Sequence, residues 1–500
     1  MNGMESIQTE REDKFDVDAD FQLPTLASLV PNGGALVSSE TDLSSEYFDT
    51  AGHDLLRRGI TLRRRTGDSD NGWHAKVPAE KARTEIRLPL GNGAHNAVPD
   101  ELNDVLRGAV MGAELSAVAT LTTRRTIHSV SDADGTVVAE VADDEVSVVL
   151  IGGATGPRWR EVEVELGPAG SESFLKKAGK MLRAAGARSS AHPSKLDRAL
   201  SVVRQVPAEP GAALLADYLD DQAQAIVAGD VYLRRGLDPI HSTRVAIRRY
   251  RSTLRVFGSL FEDEPAAQLE AELSWYASIL GEVRDRQVQR ARFAAALREL
   301  PPELVLGPVA SRIENDLLAE QIRYREAAMT ELDGERYRAL LTTLSEWSRG
   351  LPIDGEVTDR VLVKLARKAG KKAIDRTKSA VRGTDDEALH RARKASKRAR
   401  YAAELVAPVV DKKVSKANIK HFKTIQEVLG EHQDAVIAAE ILRTLGARAG
   451  TTAGGERLHL RPALRARAPC RRDGAGRGEQ VGVLIAETGV FPRFEGRRVL

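Results

Sequence analysis

The stretch HSTRVAIRRYR, His241–Arg251, returns as HRARKASKRAR, His390–Arg400, 149 residues further on (390 − 241 = 149). The same offset carries Arg244 to Arg393, Arg248 to Lys397, Arg249 to Arg398 and Arg251 to Arg400. It also carries LGEVRD at Leu280 to LGEHQD at Leu429, with Asp285 matching Asp434. Agreement at two separated motifs without a gap marks an internal duplication. Two similar helical units joined by short connections are expected to pack as antiparallel bundles with pseudo-twofold symmetry. On a helix His241, Arg244, Arg248 and Arg251 share one face, as do His390, Arg393, Lys397 and Arg400. Like charges at that spacing repel, so the stripe reads as a surface for a polyanion.

Composition narrows which polyanion. The chain has 500 residues, enough for two or three domains, and a formal charge of only +2, so the basic character is local. Aromatic residues make up 4%, and only Tyr250 and Tyr401 lie near the stripes, too few for base stacking on single strands. Almost no Asn, Gln or Ser stands among the basic residues to read base edges. A phosphate chain without bases fits better than nucleic acid. The single cysteine, Cys470, excludes an intrachain disulfide and a Cys-based zinc site. The polar N-terminus and the lack of a long apolar run predict a cytoplasmic protein without membrane contact.

Ahead of the linker QVPAEPGAA the period is two rather than helical. Strands are predicted at TEREDKFDV, ITLRRRT, GWHAKVP, RTEIRLPL, TLTTRRTIHSV, TVVAEVADDEVSVV and RWREVEVEL, with short helical inserts at LPTLASLV and DELNDVLRG. Their alternation is unusual. Glu10, Glu12 and Lys14 share a face, as do Arg63 and Arg65, then Arg83, Glu85 and Arg87, then Glu161, Glu163 and Glu165, while Ile60, Leu62, Val162, Val164 and Leu166 occupy opposite faces. One wall of a closed sheet would be acidic and the opposite wall basic. Paired carboxylates suit a hard divalent cation, and Arg and Lys suit the phosphate oxygens it leaves free. Together they would cleave a short phosphate chain.

The E-x-E-x-K strand at Glu10, with LRRR, WHAKVP, REVEVEL and SKLDRAL, resembles the CYTH family of triphosphate tunnel metalloenzymes over roughly residues 1–205. That resemblance implies an eight-stranded antiparallel β-barrel that cleaves triphosphates with Mg²⁺ or Mn²⁺. By position it makes Glu10, Glu12, Asp144, Glu161 and Glu163 metal ligands or partners of metal-bound water, and Lys14, Arg63, Arg65, Lys76, Arg125 and Lys195 substrate-phosphate ligands. Two registers stay open: Arg124 is an alternative to Arg125, and Asp143 to Asp144, which is favoured because it shares parity with Glu140. Arg87 is given no role.

The H-x-x-R-V-x-x-R-R-x-R and LG-x-x-x-D helices with their second copies resemble the CHAD domain, an α-helical module that binds inorganic polyphosphate. The resemblance implies phosphate contacts from His241, Arg244, Arg248, Arg251, His390, Arg393, Lys397 and Arg400, extended by Arg249, Arg255, Lys394 and Arg398. Asp285 and Asp434 read as carboxylates that hold basic residues in place. The expected architecture is thus α+β: a CYTH-like barrel over 1–205, a CHAD-like duplicated helical bundle over 206–450, and an atypical Arg- and Gly-rich tail over 451–500. The tail reads as disordered, or as a frame slip near Gly455 where the family has a closing helix. The expected function is a metal-dependent triphosphatase, acting on a triphosphate and tethered to a polyphosphate binder, with association with polyphosphate granules as the implied extension. Rival readings are a non-catalytic polyphosphate-binding or targeting protein, a nucleotide cyclase and a nucleic-acid binder.

Overall fold

The computed structural model describes residues 7–67, 70–79, 83–91, 97–200, 207–298, 309–382 and 386–429. Two compact units divide the chain: Met1–Arg204 with Gln224–Leu237, and Gln205–Ala223 with Asp238–Leu500.

The first unit is a ten-stranded antiparallel sheet. In chain order the strands are β1 (Ile7–Glu10), β2 (Glu12–Val17), β3 (Ala35–Asp49), β4 (Thr61–Thr66), β5 (Gly72–Pro78), β6 (Arg83–Leu88), β7 (Ser116–Ser131), β8 (Val137–Leu150), β9 (Thr155–Leu166) and β10 (Arg188–Ser189). Their order across the sheet is β1-β6-β5-β4-β3-β7-β8-β9-β2-β10. The expected single N-terminal strand is two. At Arg11 the run changes partner, so that Ile7–Glu10 pairs with β6 while Glu12–Val17 pairs with β9. No ladder runs through that break, so the tunnel is a curled sheet and not a closed eight-stranded barrel. Curling has a local cause: register shifts at Tyr47/Phe48, Val130/Ser131 and Ser147/Val149 add twist to the three long strands.

Strand parity decides which side chains meet. Phe15, Val17, Val162 and Val164 turn outward and are buried under α3 (Glu172–Ala184) through Phe174, Ala178 and Leu182. Their neighbours Lys14, Glu161 and Glu163 therefore turn inward. The segment LPTLASLV makes only a 3₁₀ turn at Leu26–Leu29; α1 is the single turn Asp54–Arg57, and α2 (Asp100–Val110) forms where DELNDVLRG predicts it. A short α4 (Lys195–Leu200) anchors its buried Leu196 and Ala199 against Tyr47, Leu121 and Val148. Ser194 Oγ accepts from the Asp197 amide at its start.

The second unit is helical. It holds α5 (Pro210–Arg234, of which Gln224–Arg234 counts with the sheet unit), α6 (Ile240–Val256), α7 (Asp263–Arg298), α8 (Val309–Leu332), α9 (Glu335–Arg349), α10 (Asp359–Arg382), α11 (Asp386–Leu405) and a helix over 412–429. The offset of 149 recurs in the secondary structure itself. It relates the starts of α5 and α10, the 3₁₀ turns Gly258–Leu260 and Ala407–Val409, and the helix starts at 263 and 412. The repeats differ in their packing residues: the tilted rings of Tyr276 and Tyr337 meet at 5.0 Å in the first, while Ala373, Ala380, Ala392, Ala395 and Ala399 cluster with Phe422 in the second. Asp434, Cys470 and the tail, including the expected frame slip, lie outside the described residues.

Candidate functional site

Register brings the inward-facing charges of the sheet together. Lys14 pairs with Glu163 across β2/β9, Asp144 with Glu161 across β8/β9, and Arg125 with Asp144 across β7/β8. Carboxylate oxygens of Asp144, Glu161 and Glu163 lie within 4.8 Å of one another. Lys195 Nζ, delivered by α4, stands 3.0, 2.6 and 2.8 Å from them. Arg125 donates to both oxygens of Asp144 at 2.7 and 2.6 Å and to Glu163 at 3.0 Å. Lys14 donates to Glu163 at 2.8 Å and lies 3.2 Å from Glu12.

Burial by itself would raise the Glu163 carboxyl, but the Lys14, Lys195 and Arg125 charges and the Lys14 hydrogen bond hold it well below the usual carboxylate range. Burial likewise opposes the charge on Asp144, and Lys195 and Arg125 overcome it. For Lys195 burial works downward, while Glu163, Asp144 and Glu161 raise it above an ordinary lysine. Glu163, Asp144 and Lys195 are thus held in their charged forms by their partners.

The anticipated separation into an acidic and a basic wall is not what forms. Lys14, Arg125 and Lys195 stand among the carboxylates, because three like charges packed this closely would repel strongly without counter-ions. The other basic positions do share a region. Arg63 and Arg65 are both buried on β4, with Arg63 3.7 Å from Glu85 and Arg65 3.3 Å from Asp70. Lys76 lies 3.9 Å from Glu85. Burial, then the charges of Arg63 and Arg125, pull Arg65 down to about 10. Cations so crowded are electrostatically prepared for an anion.

Asp144 points into the cluster, whereas Asp143 pairs with Arg160 at 2.7 Å. Arg125 is inward, whereas Arg124 is exposed and 3.8 Å from Asp42. Glu12 sits at the edge of the cluster, and the Glu10 side chain is outside the described atoms.

The alternation along the strands assigns no role to several residues that join these groups. Glu85 is fully buried and gathers His74 Nδ1 at 3.0 Å and Arg87 Nε at 2.6 Å. Against burial, the His74 hydrogen bond and the charges of Lys76 and Arg63 hold Glu85 far below a normal carboxyl. Arg87 also reaches Asp70 at 2.8 Å. Parity with Arg83 and Arg87 was the available signal for Glu85. Tyr47 bonds Arg63 from β3, a strand whose outer half is exposed and carries no apolar alternation. Trp159 Nε1 donates to Glu161 at 2.5 Å.

In the helical unit α6 and α11 pack side by side, carrying the two basic stripes. Arg249 bridges them through Glu404 at 3.1 Å, with Arg249 and Arg400 lying over the Tyr401 ring at 5.6 and 4.7 Å. Tyr250 and Tyr401 are buried, so neither is available to stack a base. The LG-x-x-x-D motif has a steric reading. A Cβ on Gly281 would stand 3.1 Å from Arg244 Nη1, so glycine lets that guanidinium lie on α7. There Arg244 donates to the Leu280 carbonyl at 3.3 Å and lies 3.7 Å from Asp285. Arg251 and Arg255 share Glu270 at 2.8 and 2.7 Å. The Nε atoms of Arg248 and Arg393 are buried without a hydrogen-bond partner. His241 is exposed, while His390, Lys397 and Arg400 are half-buried on the same helices. Among the described residues no helix is long and apolar enough to cross a membrane.

Comparison with known proteins follows the same division. Residues 8–199 match the CYTH domain and residues 217–443 the CHAD domain. An uncharacterized protein of Mycobacterium tuberculosis (strain CDC 1551 / Oshkosh) is 34% identical over 463 residues, covering 87% of this chain and 88% of its own length. Among solved structures, the CHAD domain from the plant Ricinus communis is 24% identical, with a TM-score of 0.46 and coverage of 58% of this chain and 94% of that one. A putative adenylyl cyclase from Hippeastrum, described as having a dominant triphosphatase activity, is 16% identical, with a TM-score of 0.23 and coverage of 39% and 96%. The chain belongs to the family in which a CYTH domain is followed by a CHAD domain.

Proposed function

We propose that the sheet unit is a divalent-metal-dependent triphosphatase and that the helical unit binds inorganic polyphosphate. The observation that carries this reading is the meeting of Asp144, Glu161 and Glu163 within 4.8 Å, in a unit that also buries Arg63 and Arg65. The donor set fits Mg²⁺ or Mn²⁺: all three are hard carboxylate oxygens, and the Lys195 ammonium already marks a place where they surround a cation. Glu12 is the remaining described acidic candidate, and Glu10 is retained by position. What a bound metal supplies is Lewis acidity toward a phosphoryl oxygen.

The chain's own residues do the rest. Arg63, Arg65 and Lys76 bind the nonbridging oxygens and balance the charge that builds on them as the anhydride bond breaks. Glu85 positions these cations. Arg125, Lys14 and Lys195 switch between carboxylates and phosphate oxygens, so that the cluster remains near neutral with or without substrate. Phosphoryl transfer makes modest covalent demands, and positioning with electrostatics is sufficient chemistry. On α6 and α11, Arg244, Arg248, Arg251, Arg393, Lys397 and Arg400 track a phosphate chain, with His241 and His390 at the stripe ends. Tethering raises the local concentration of chains for the sheet unit.

Glu163→Gln tests the catalytic half. Phosphate release from tripolyphosphate with Mg²⁺ is expected to fall at least a hundredfold, with polyphosphate binding by the full chain unchanged. Retained hydrolysis would remove the carboxylate assignment. ATP in the same assay, with pyrophosphate as the measured product, tests the cyclase alternative.

A further inference from the structure

Arg83 belongs to the inward face of β6 with Glu85 and Arg87, yet it takes no part in the charge cluster described above. Alternate residues on a strand are about 6.8 Å apart, so Arg87, Glu85 and Arg83 mark successive stations along one wall. Arg87 and Glu85 are joined at 2.6 Å. Arg83 instead lines a cavity of about 460 Å³, together with Arg11, Lys14, Arg183, Glu12 and Asp13.

Two of those residues belong to both places. Lys14 reaches Glu163 at 2.8 Å and Glu12 at 3.2 Å, so the cavity continues from the carboxylate cluster rather than lying apart from it. Its lining has four cations against two carboxylates. Among the described side chains, which do not include that of Glu10 opposite Arg83 in the β1/β6 register, neither Arg83 nor Arg183 has a carboxylate within ion-pair distance, and Arg183 lies over the Phe15 ring at 5.7 Å. Guanidinium groups present planar forks that match phosphate oxygens. Of the two aromatic rings in the lining, Phe15 lies buried beneath Arg183 and the His192 imidazole is 2.9 Å from Asp197.

We propose that this cleft is a distal anion subsite, holding phosphoryl groups of a linear phosphate chain that extends past the triphosphate bound in the tunnel. The preferred substrate of the sheet unit is then a chain longer than triphosphate, entered from its end. This rests on the triphosphatase reading for what occupies the tunnel.

The test compares the full-length protein with its Arg83→Gln, Arg183→Gln double variant, and with Arg183→Gln alone as the milder change. Both are made in a common background of Arg244→Gln and Arg393→Gln, which mutes the helical stripe. Titration calorimetry and phosphate release are followed with tripolyphosphate and with tetraphosphate. The double variant is expected to lose about tenfold in tetraphosphate affinity and kcat/KM, roughly the worth of one charge-assisted hydrogen bond, with tripolyphosphate changed less than about twofold on the same scale. Unchanged tripolyphosphate binding also shows that the variant is folded. Equal losses for both anions, or no loss for either, would overturn the subsite. Binding without hydrolysis of either anion would refute the triphosphatase reading instead, and the ratio of the two affinities would still decide the subsite.

Discussion

Removing the ammonium of Lys195 is the sharpest perturbation of the carboxylate cluster. In Lys195→Met the three carboxylates, their oxygens within 4.8 Å, lose a cation that stands 2.6–3.0 Å from each. The Lys195 side chain is only 10% exposed and that of Asp144 is 0%, so solvent screening offers little relief. Deleting one partner of a buried ion pair costs about 3–5 kcal/mol. Because Lys14 and Arg125 remain on Glu163 and Asp144, the lower end, about 3 kcal/mol, is expected. For a unit of about two hundred residues this is a fall in Tm of roughly 6–12 °C.

The pH dependence follows from the directions of the shifts. Glu163 and Asp144 are depressed in the folded protein, so their contribution is complete above the unfolded carboxyl values near about 4 and is lost as pH falls through the folded values. Lys195 is raised, so its contribution is complete below about 10.4 and is lost only at higher pH. The deficit of the variant should therefore be largest near neutrality and shrink below pH of about 4. Mg²⁺ should raise the Tm of the variant more than that of the wild type, since no ammonium then competes for the oxygens. Thermal unfolding followed by circular dichroism across pH, with and without Mg²⁺, reads all of this. A variant that melts within about 1 °C of wild type, on the scale used above, would refute the electrostatic account.

Two further outcomes test neighbouring assignments. Arg125→Gln removes charge-assisted bonds to Asp144 at 2.7 and 2.6 Å and should lower kcat/KM for tripolyphosphate by about 10–100-fold. Arg124→Gln, at an exposed position, should change it less than about twofold, and equal effects would undo the strand parity. In the helical unit Glu270 occupies Arg251 and Arg255 at 2.8 and 2.7 Å. Glu270→Gln should tighten polyphosphate binding by about threefold to tenfold at low salt, with stability changed by less than about 1 kcal/mol because the pairs are partly exposed. Unchanged or weaker binding would remove Arg251 from the phosphate-contacting set.

Much of this protein is readable along the chain. The period of two in REVEVEL places Glu161 and Glu163 on one face and Val162 and Val164 on the other, and α3 covers the apolar side. The repeat of HSTRVAIRRYR after 149 residues shows the duplication before any helix is seen, and the helix starts at 263 and 412 keep that offset. Periodicity is a property of adjacent residues, so it reports which face a side chain takes.

It does not report what stands opposite. That Lys195 reaches Asp144, Glu161 and Glu163 depends on α4 packing against a strand far away in sequence. That Glu85 gathers His74 and Arg87 depends on the pairing of β5 with β6. The break at Arg11, which leaves the sheet curled and not closed, arises because one short run serves two distant partners. Such choices are made by long-range pairing and by the cost of leaving buried charges unpaired, and only the assembled tertiary structure settles them.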